Sequence, residues 1–303
     1  MRQKGSVHFT KVPTCPTWAS RIEVVHQGEN LIVRGWKRWE SYPCPRELPN
    51  GCDLLADYRA YAAGDRHITP LHLALVNATD DQQLEVFVRE FGPLGEGAHF
   101  AKFNEDGTMN FTVFQSMGDL RYKQRLFRSL FELLVALRAK KGARVGGEIA
   151  NCAMQVETLE VSAARGMMSE LEELVCDVTA AAWRREWGAV HTAGHRVACH
   201  AFGLFTSQMV AYPDGVVELP RREPGGVFSE AMFMLKTDYE REYRWSFCKN
   251  ENCQRAFRLA RKDQTCCKPK CTSAVRSRKH YYRRGYEVRR ARLAANESGT
   301  KRN

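Results

Sequence analysis

The sequence predicts an α+β protein: a mostly helical body with an N-terminal β element, then a small cysteine-rich C-terminal module followed by a basic helix. Hydrophobic residues recur at helical spacing through most of the body, whereas β-branched residues cluster near the N-terminus. Five of the eleven cysteines lie within 248–271. Residues 241–303 hold 19 Lys and Arg against 5 Asp and Glu, a net charge of +14, while the rest of the chain carries −3.

The first half of the body alternates strand and helix patterns. IEVVHQ and ENLIVRGW are typical of two strands around a turn at Gly28, and a Pro/Gly-rich loop follows at 42–52. AHFAKF and MNFTVFQ flank the turn-forming residues 104–107, which predicts a hairpin. Helical patterns lie between these strands, and Asp80 or Asp81 is the expected N-cap of the last of them.

The second half of the body is predicted to be helical. The segment 119–142 has the clearest helical pattern in the chain. Further helices are expected at 168–187, 190–212 and 227–243, the last of which leads into the cysteines. The segment AYPDGVVELP (211–220) predicts a turn and a short strand.

These patterns indicate two domains, a body over 1–240 and a C-terminal module over 241–303. The N-terminus lacks the apolar core of a signal peptide, and no stretch reaches the roughly 18 apolar residues of a membrane span. We therefore expect a cytoplasmic protein without a membrane partner. In that reducing compartment, clustered cysteines are more often metal ligands than disulfides.

The C-terminal cysteines have the spacing of a tetrahedral zinc site. Cys248 and Cys253 form one C-x4-C pair, and Cys266 and Cys271 form a second, twelve residues later. Two adjacent cysteines seldom both bind one tetrahedral ion without strain. We therefore assign Cys266 as the ligand, because it keeps the symmetric spacing, and keep Cys267 as the alternate. Four thiolates leave no open position, which predicts one structural zinc ion per chain. The alternative is a small helical cap with reduced, buried cysteines.

A basic helix is predicted directly after the last cysteine. Thr272 is its candidate cap, and Gly285 weakens it enough to allow a kink. Tyr281, Tyr282 and Tyr286 have a spacing that favours packing on the helix over stacking on bases. Arginine dominates the remaining positions, which suits contacts with phosphate or guanine. The expected nucleic-acid contacts are Arg276, Arg278, Lys279, Arg283, Arg284, Arg289 and Arg290.

The order of these features resembles the CGNR-type zinc finger, which in its family follows a mostly helical N-terminal domain called ABATE. The shared features are a C-x4-C pair, a nearby Phe, a basic stretch, a second C-x4-C pair and an Arg-rich helix. ITPLHLALVNA (68–78) is similar to the family's N-terminal motif. The chain departs from the family at Thr272-Ser273-Ala274, where the family has Gly-Asn-Arg. The resemblance implies zinc on Cys248, Cys253, Cys266 and Cys271 and a bacterial transcription regulator that binds double-stranded DNA.

Histidines in the body form a second candidate site. His191 and His195 share a helical face, with Cys199 and His200 close by in sequence. No Glu stands between the two histidines as in zinc proteases, and the surrounding sequence is that of an apolar helix. We therefore expect these residues to pack in the body rather than to bind metal or catalyse a reaction.

Two weaker patterns lie elsewhere in the body. KKGARVGGE (140–148) lacks the strand and the GK[ST] of a phosphate loop, so we expect a turn between helices. An N-terminal set has irregular spacing, which favours buried thiols over a metal site. This set comprises His8, Cys15, Cys44 and Cys52.

The function expected from these observations is zinc-dependent binding of nucleic acid, with double-stranded DNA as the partner and no enzymatic activity. The body would sense a signal or form a homodimer. One alternative is an RNA or single-strand binder that uses the same basic helix. Another is an enzyme sited in the body, with the zinc finger as a structural or docking module.

Overall fold

The computed structural model describes residues 22–38, 54–65, 68–94, 98–103, 108–139, 142–160, 168–212, 215–220 and 227–299. The chain divides into two compact units, Met1–Glu242 and Tyr243–Asn303. The predicted boundary lies two residues before this division. The predicted fold class is confirmed: the first unit is mostly helical with an antiparallel sheet near its N-terminus, and the second joins a cysteine cluster to a helix.

The N-terminal sheet is antiparallel, with the strand order β1-β2-β4-β3. Its strands are β1 (Ile22–Gln27), β2 (Asn30–Arg38), β3 (Ala98–Phe103) and β4 (Thr108–Ser116). A turn joins β1 to β2 and places Gly28 at a φ of +61°, a conformation that favours glycine. β2 is hydrogen-bonded on both edges, and its residues 31–33 are buried.

Among the described residues between β2 and β3 lie three short helices: α1 (Leu54–Ala63), α2 (Leu71–Asn77) and α3 (Asp81–Phe91). The expected cap of α3 is confirmed as Asp80, whose carboxylate accepts a hydrogen bond from the backbone of Gln83 at 2.8 Å. Gly92 ends the helix at a φ of +93°, a backbone conformation that favours glycine.

Five longer helices follow in the described part of the first unit. They are α4 (Met117–Ala139), α5 (Gly142–Glu160), α6 (Met168–Trp183), α7 (Trp187–Thr206) and α8 (Val227–Glu240). α4 is the central helix, since it packs against α2, α5, α7 and α8 and is apolar on most of its circumference. Within the described ranges, no helix is both long and apolar enough to cross a membrane.

Gly194 allows α7 to approach α4 and α5 closely. A Cβ at this position would lie 2.9 Å from Cδ2 of Leu137 and 3.2 Å from Cγ1 of Val145. Its place in the middle of a helix therefore has a packing reason that the sequence pattern does not show.

Two predicted elements are wrong in detail. The helix expected at 190–212 ends at Thr206, and SQMVAY forms β5 (Ser207–Tyr212), paired with β6 (Gly215–Pro220). The chain at 140–148 is not simply a turn, because α5 already begins at Gly142 and includes Gly146 and Gly147. A Cβ on Gly146 would make an ordinary contact with that of Ala182 at 3.7 Å, and a Cβ on Gly147 would have no atom within 4 Å.

A buried polar network joins α1, α2 and α8. The fully buried Asp238 accepts hydrogen bonds from the hydroxyls of Tyr58 (2.6 Å) and Tyr61 (2.8 Å), and His72 Nε2 lies 3.0 Å from its carboxylate. Burial raises the pKa of this carboxyl, but the charge of His72 and the hydrogen bonds from all three partners outweigh burial and hold the pKa below its usual value.

The second unit consists of a short hairpin and a long helix. β7 (Trp245–Phe247) pairs with β8 (Ala256–Arg258), and α9 (Pro269–Gly299) follows. Pro269 begins α9, where its missing N–H costs nothing. The predicted cap is therefore wrong: Thr272 lies inside the first turn, where its hydroxyl donates to the carbonyl of Lys268 at 3.4 Å. Gly285 does not interrupt the helix.

Candidate metal centre

Four cysteine sulfurs meet where the hairpin and α9 adjoin. The Sγ atoms of Cys248, Cys253, Cys267 and Cys271 all lie within 4.8 Å of one another. Two of the separations are 3.5 Å, between Cys253 and Cys267, and 3.8 Å, between Cys267 and Cys271. A tetrahedral ion with metal–sulfur bonds of about 2.3 Å requires sulfurs about 3.8 Å apart. This cluster has the composition and the dimensions to hold a metal ion.

The first two cysteines are placed by a tight turn between the strands of the hairpin. Cys248 follows β7 directly, and its N–H donates to the carbonyl of Arg255 at 2.8 Å. The carbonyl of Asn250 accepts from the N–H groups of Cys253 at 2.8 Å and Gln254 at 3.0 Å. Gln254 has a φ of +44°, which reverses the chain into β8. The turn thus wraps both thiols around one point.

The other two cysteines are placed by the start of α9. Cys267 lies just before Pro269, and Cys271 lies in the first turn of the helix. Residues four apart at a helical start share one side, so both thiols face the hairpin turn. The N–H of Lys249 donates to the carbonyl of Thr265 at 3.0 Å and joins this segment to that turn.

Cys266 does not belong to the group of converging sulfurs, so the preference for Cys266 over Cys267 is corrected. Its side chain is 4% exposed and packs with Phe257 and Cys248 in a small core, and its sulfur lies 3.9 Å from the Thr265 hydroxyl. The reason is the helical register: a C-x3-C pair shares a side where α9 begins, whereas symmetric C-x4-C spacing does not. The sequence alternate, Cys267, takes the position.

Hydrogen bonds from Asn250 and from the backbone favour the thiolate forms of Cys248 and Cys271, and thiolates are the forms that bind metals. Burial raises the pKa of Cys248, and hydrogen bonds from the backbones of Cys267 and Asn250 oppose this increase. The side chain of Asn250 lowers the pKa of Cys271. Burial raises the pKa of Cys267, and its thiol neighbours raise it further. Asn250 therefore contacts two of the four thiols.

Sequence reasoning missed Asn250. The residue is 9% exposed, which is low for an amide side chain, and it is central to the turn between the first two cysteines. The only signal in the sequence is its position between them, where a short polar residue is typical of a tight turn.

The basic residues expected to contact nucleic acid all lie on α9 and are exposed, apart from Arg278. The guanidinium of Arg278 donates to the carboxylate of Glu251 at 2.5 Å and so joins the helix to the turn after Cys248. Arg283 pairs with Glu287 one turn later at 3.2 Å, and both side chains are exposed.

The tyrosines of α9 do not pack on the module, so that prediction is wrong. Tyr281 is 75% exposed, and Tyr282 and Tyr286 are each 68% exposed. Val275, on the same helical face as Tyr282, does pack against the small core around Phe257. The helix continues beyond that core, so residues one or two turns later have nothing from the module to cover them.

The described histidines of the body do not converge into a cluster of ligand atoms in the structure. No second cluster of metal-ligand side chains occurs in the part of the chain that the structure describes. His191 and His195 lie at the partly exposed edge of α7, and Nδ1 of His195 is 2.6 Å from the hydroxyl of Tyr239. The N-terminal set of His8, Cys15, Cys44 and Cys52 lies outside the described residues.

Comparison of the chain with protein-family models, curated proteins and solved structures found no match. The resemblance to CGNR-type zinc fingers and ABATE domains therefore stays a prediction from the residues alone. The site itself has a definite form: four thiols that can hold a metal ion at the start of a long basic helix.

Proposed function

We propose that this chain is a zinc-dependent nucleic-acid-binding protein and that α9 is its binding element. Double-stranded DNA is the partner that the resemblance implies, together with a role in transcription regulation. The observation that carries the proposal is the junction at Cys271, a thiol of the metal cluster that is also part of the first turn of α9.

Zinc suits the cluster because it accepts four thiolates in a tetrahedron and keeps that geometry without redox change. One ion per chain would have a structural role, since four sulfurs leave no position open for a substrate. The module also needs the ion: its buried core is formed mainly by Cys248, Phe257 and Cys266. So small a core stabilises a fold weakly, and metal binding supplies the difference.

The charge of α9 supports nucleic acid as the partner. Residues 276–290 carry seven Lys and Arg against one Glu, and all but Arg278 of these basic side chains are exposed. This segment is roughly 22 Å long at about 1.5 Å per residue. A helix about 10–12 Å across fits the major groove of DNA, which is about 12 Å wide. Such concentrated charge releases counterions when it meets phosphates.

Fluorescence anisotropy of the full chain with labelled duplex DNA, at several salt concentrations, tests the proposal. Six exposed cations predict a slope of about −5 in a plot of log affinity against log salt. Removal of zinc with a strong chelator should weaken binding, because the start of α9 is no longer fixed. A flat salt response, or affinity indifferent to chelation, would contradict the proposal.

The role proposed for the body is sensing or homodimerisation, in the reducing environment of the cytoplasm. That environment keeps the cluster thiols available for metal. Analytical ultracentrifugation of the full chain, with and without residues 241–303, separates a dimer formed by the body from one that requires the module.

A further inference from the structure

Beyond the module core, α9 has two unlike faces. The first, here called the aromatic face, spans roughly 160° of the helix circumference at 100° per residue. It consists of Tyr281, Tyr282, Gly285, Tyr286 and Val288. The second, the basic face, spans roughly 60° and includes Arg276, Lys279, Arg283 and Arg290. Arg289 lies within the aromatic face, so that face also carries a cation.

The aromatic face is open to solvent. Its three tyrosines are 68–75% exposed, and Val288 is 46% exposed. A Cβ at Gly285 would have no atom within 4 Å, and Tyr281 and Tyr282 lie one turn before it. The rings of Tyr281 and Tyr282 are 6.2 Å apart at 70° to each other, so they present differently oriented surfaces beside an open position on the backbone. Such an apolar surface on a highly charged helix indicates a binding surface.

Charge decides which partner fits this face. A second copy of α9 would bring another excess of six positive charges over 276–290 against the first, and the two helices would repel each other. A nucleic acid supplies the opposite charge together with flat apolar bases. In a closed duplex the base faces are covered by their neighbours and only the edges are accessible, so a tyrosine ring cannot stack there.

We infer that the aromatic face of α9 stacks on unpaired bases of a single strand, while the basic face holds the phosphates of that strand. This inference rests on nucleic-acid binding as the proposed function, and it replaces the duplex partner that the resemblance implies with a strand whose bases are accessible. Aromatic rings interleaved with arginine are the usual means by which proteins hold single-stranded DNA or RNA without strict sequence preference. Both kinds of strand share this chemistry, and the experiment separates them.

The test uses the zinc-loaded full chain and three fluorescent 20-nucleotide probes of one mixed sequence: single-stranded DNA, RNA and duplex DNA. Two triple variants are compared with the unmodified chain: one with Tyr281, Tyr282 and Tyr286 all changed to Leu, and one with all three changed to Phe. Both keep the net charge and a helix-compatible residue, but only Phe keeps the aromatic ring. Far-ultraviolet circular dichroism and zinc content verify that each variant is folded.

We expect the unmodified chain to bind a single strand more tightly than the duplex. The Leu variant should lose on the order of 30-fold or more in affinity for that strand, whereas the Phe variant stays within about threefold. The salt slope should not change, since no charge is removed. Preference for either single strand supports the inference, and the difference between DNA and RNA identifies which one α9 prefers.

Two other outcomes overturn different statements. Duplex binding that equals or exceeds single-strand binding, or a Leu variant that binds as well as the Phe variant, removes the stacking inference and leaves the proposed function intact. Failure of all three probes to bind at low salt overturns the proposed function itself.

Discussion

Substitution of the adjacent residues Cys266 and Cys267 by Ala, one at a time, tests which of the two is the fourth ligand of the metal. In the structure Cys267 contributes its sulfur to the cluster, whereas Cys266 is buried in the small core beside Phe257. The two changes remove the same atom at neighbouring positions, so each is the control for the other.

The expected magnitudes differ widely. Structural zinc sites of this kind contribute about 10–16 kcal/mol, or about 2.5–4 kcal/mol per ligand if the four share equally. Cys267→Ala should therefore weaken zinc binding by roughly two to three orders of magnitude, at about 1.4 kcal/mol per tenfold. Cys266→Ala removes one buried sulfur from the core, which costs on the order of 1 kcal/mol of folding stability and no ligand.

Competition with a chromophoric chelator measures zinc affinity, and elemental analysis of the purified chain gives the stoichiometry. We expect one zinc per chain in the unmodified protein and in Cys266→Ala, and weak or sub-stoichiometric zinc in Cys267→Ala. The opposite pattern would show that the symmetric spacing, and not the register of α9, determines the ligand set. Equal, small losses in both variants would mean that either cysteine can complete the site.

The remaining predictions concern packing, buried charge and the helix. Gly194→Ala should destabilise the body by about 1–3 kcal/mol in urea unfolding, because its Cβ would meet Leu137 at 2.9 Å; Gly188→Ala, where nothing lies within 4 Å, is the control. Asp238→Asn should cost about 3–5 kcal/mol at pH 7, because it leaves His72 without its buried carboxylate partner. Because the pKa of Asp238 is lowered in the folded state, the carboxylate stabilises the fold above about pH 4, and this stabilisation is lost as the pH falls through the folded pKa. In an acid titration, the free energy of unfolding should therefore fall less steeply in Asp238→Asn than in the unmodified protein. Gly285→Ala should stabilise α9 by up to about 1 kcal/mol, seen as greater helicity on heating, and a loss of helicity would contradict the open position found there.

Local signals in the sequence were sufficient for much of the fold. Asp80 caps the start of α3 and Gly92 stands at its end, and both signals involve only neighbouring residues. The sequence of α4 is apolar enough to identify it as a central helix. SQMVAY is different, because it continues an apolar helix without a breaker, and its pairing with β6 decides its conformation. Gly194 likewise has a low helix propensity, and only the short distance from an added Cβ to Leu137 explains why a glycine stands there.

The metal cluster was predictable as a cluster but not in its exact membership. Cys248 and Cys253 come together through a short turn, and the number of residues between them is enough to predict that turn. The choice between Cys266 and Cys267 depends on where α9 begins, and that position is set by Pro269. The exposure of the tyrosines also depends on tertiary structure: periodicity identifies residues that share a face, but only the extent of the core shows whether that face is covered.

Few contacts join α9 to the hairpin turn, so a metal ion in the cluster would have a large effect on the position of the helix. α9 is held to the hairpin turn by Cys267 and Cys271 through the cluster, by packing of Val275 on the small core, and by the pair between Arg278 and Glu251. Glu251 is 76% exposed, so water and salt screen that pair and it contributes at most about 1 kcal/mol. The apolar core is too small to fix the helix alone. A metal ion bound by the cluster would therefore determine the position of the first turn of α9, and with it the direction in which both the aromatic and the basic face point.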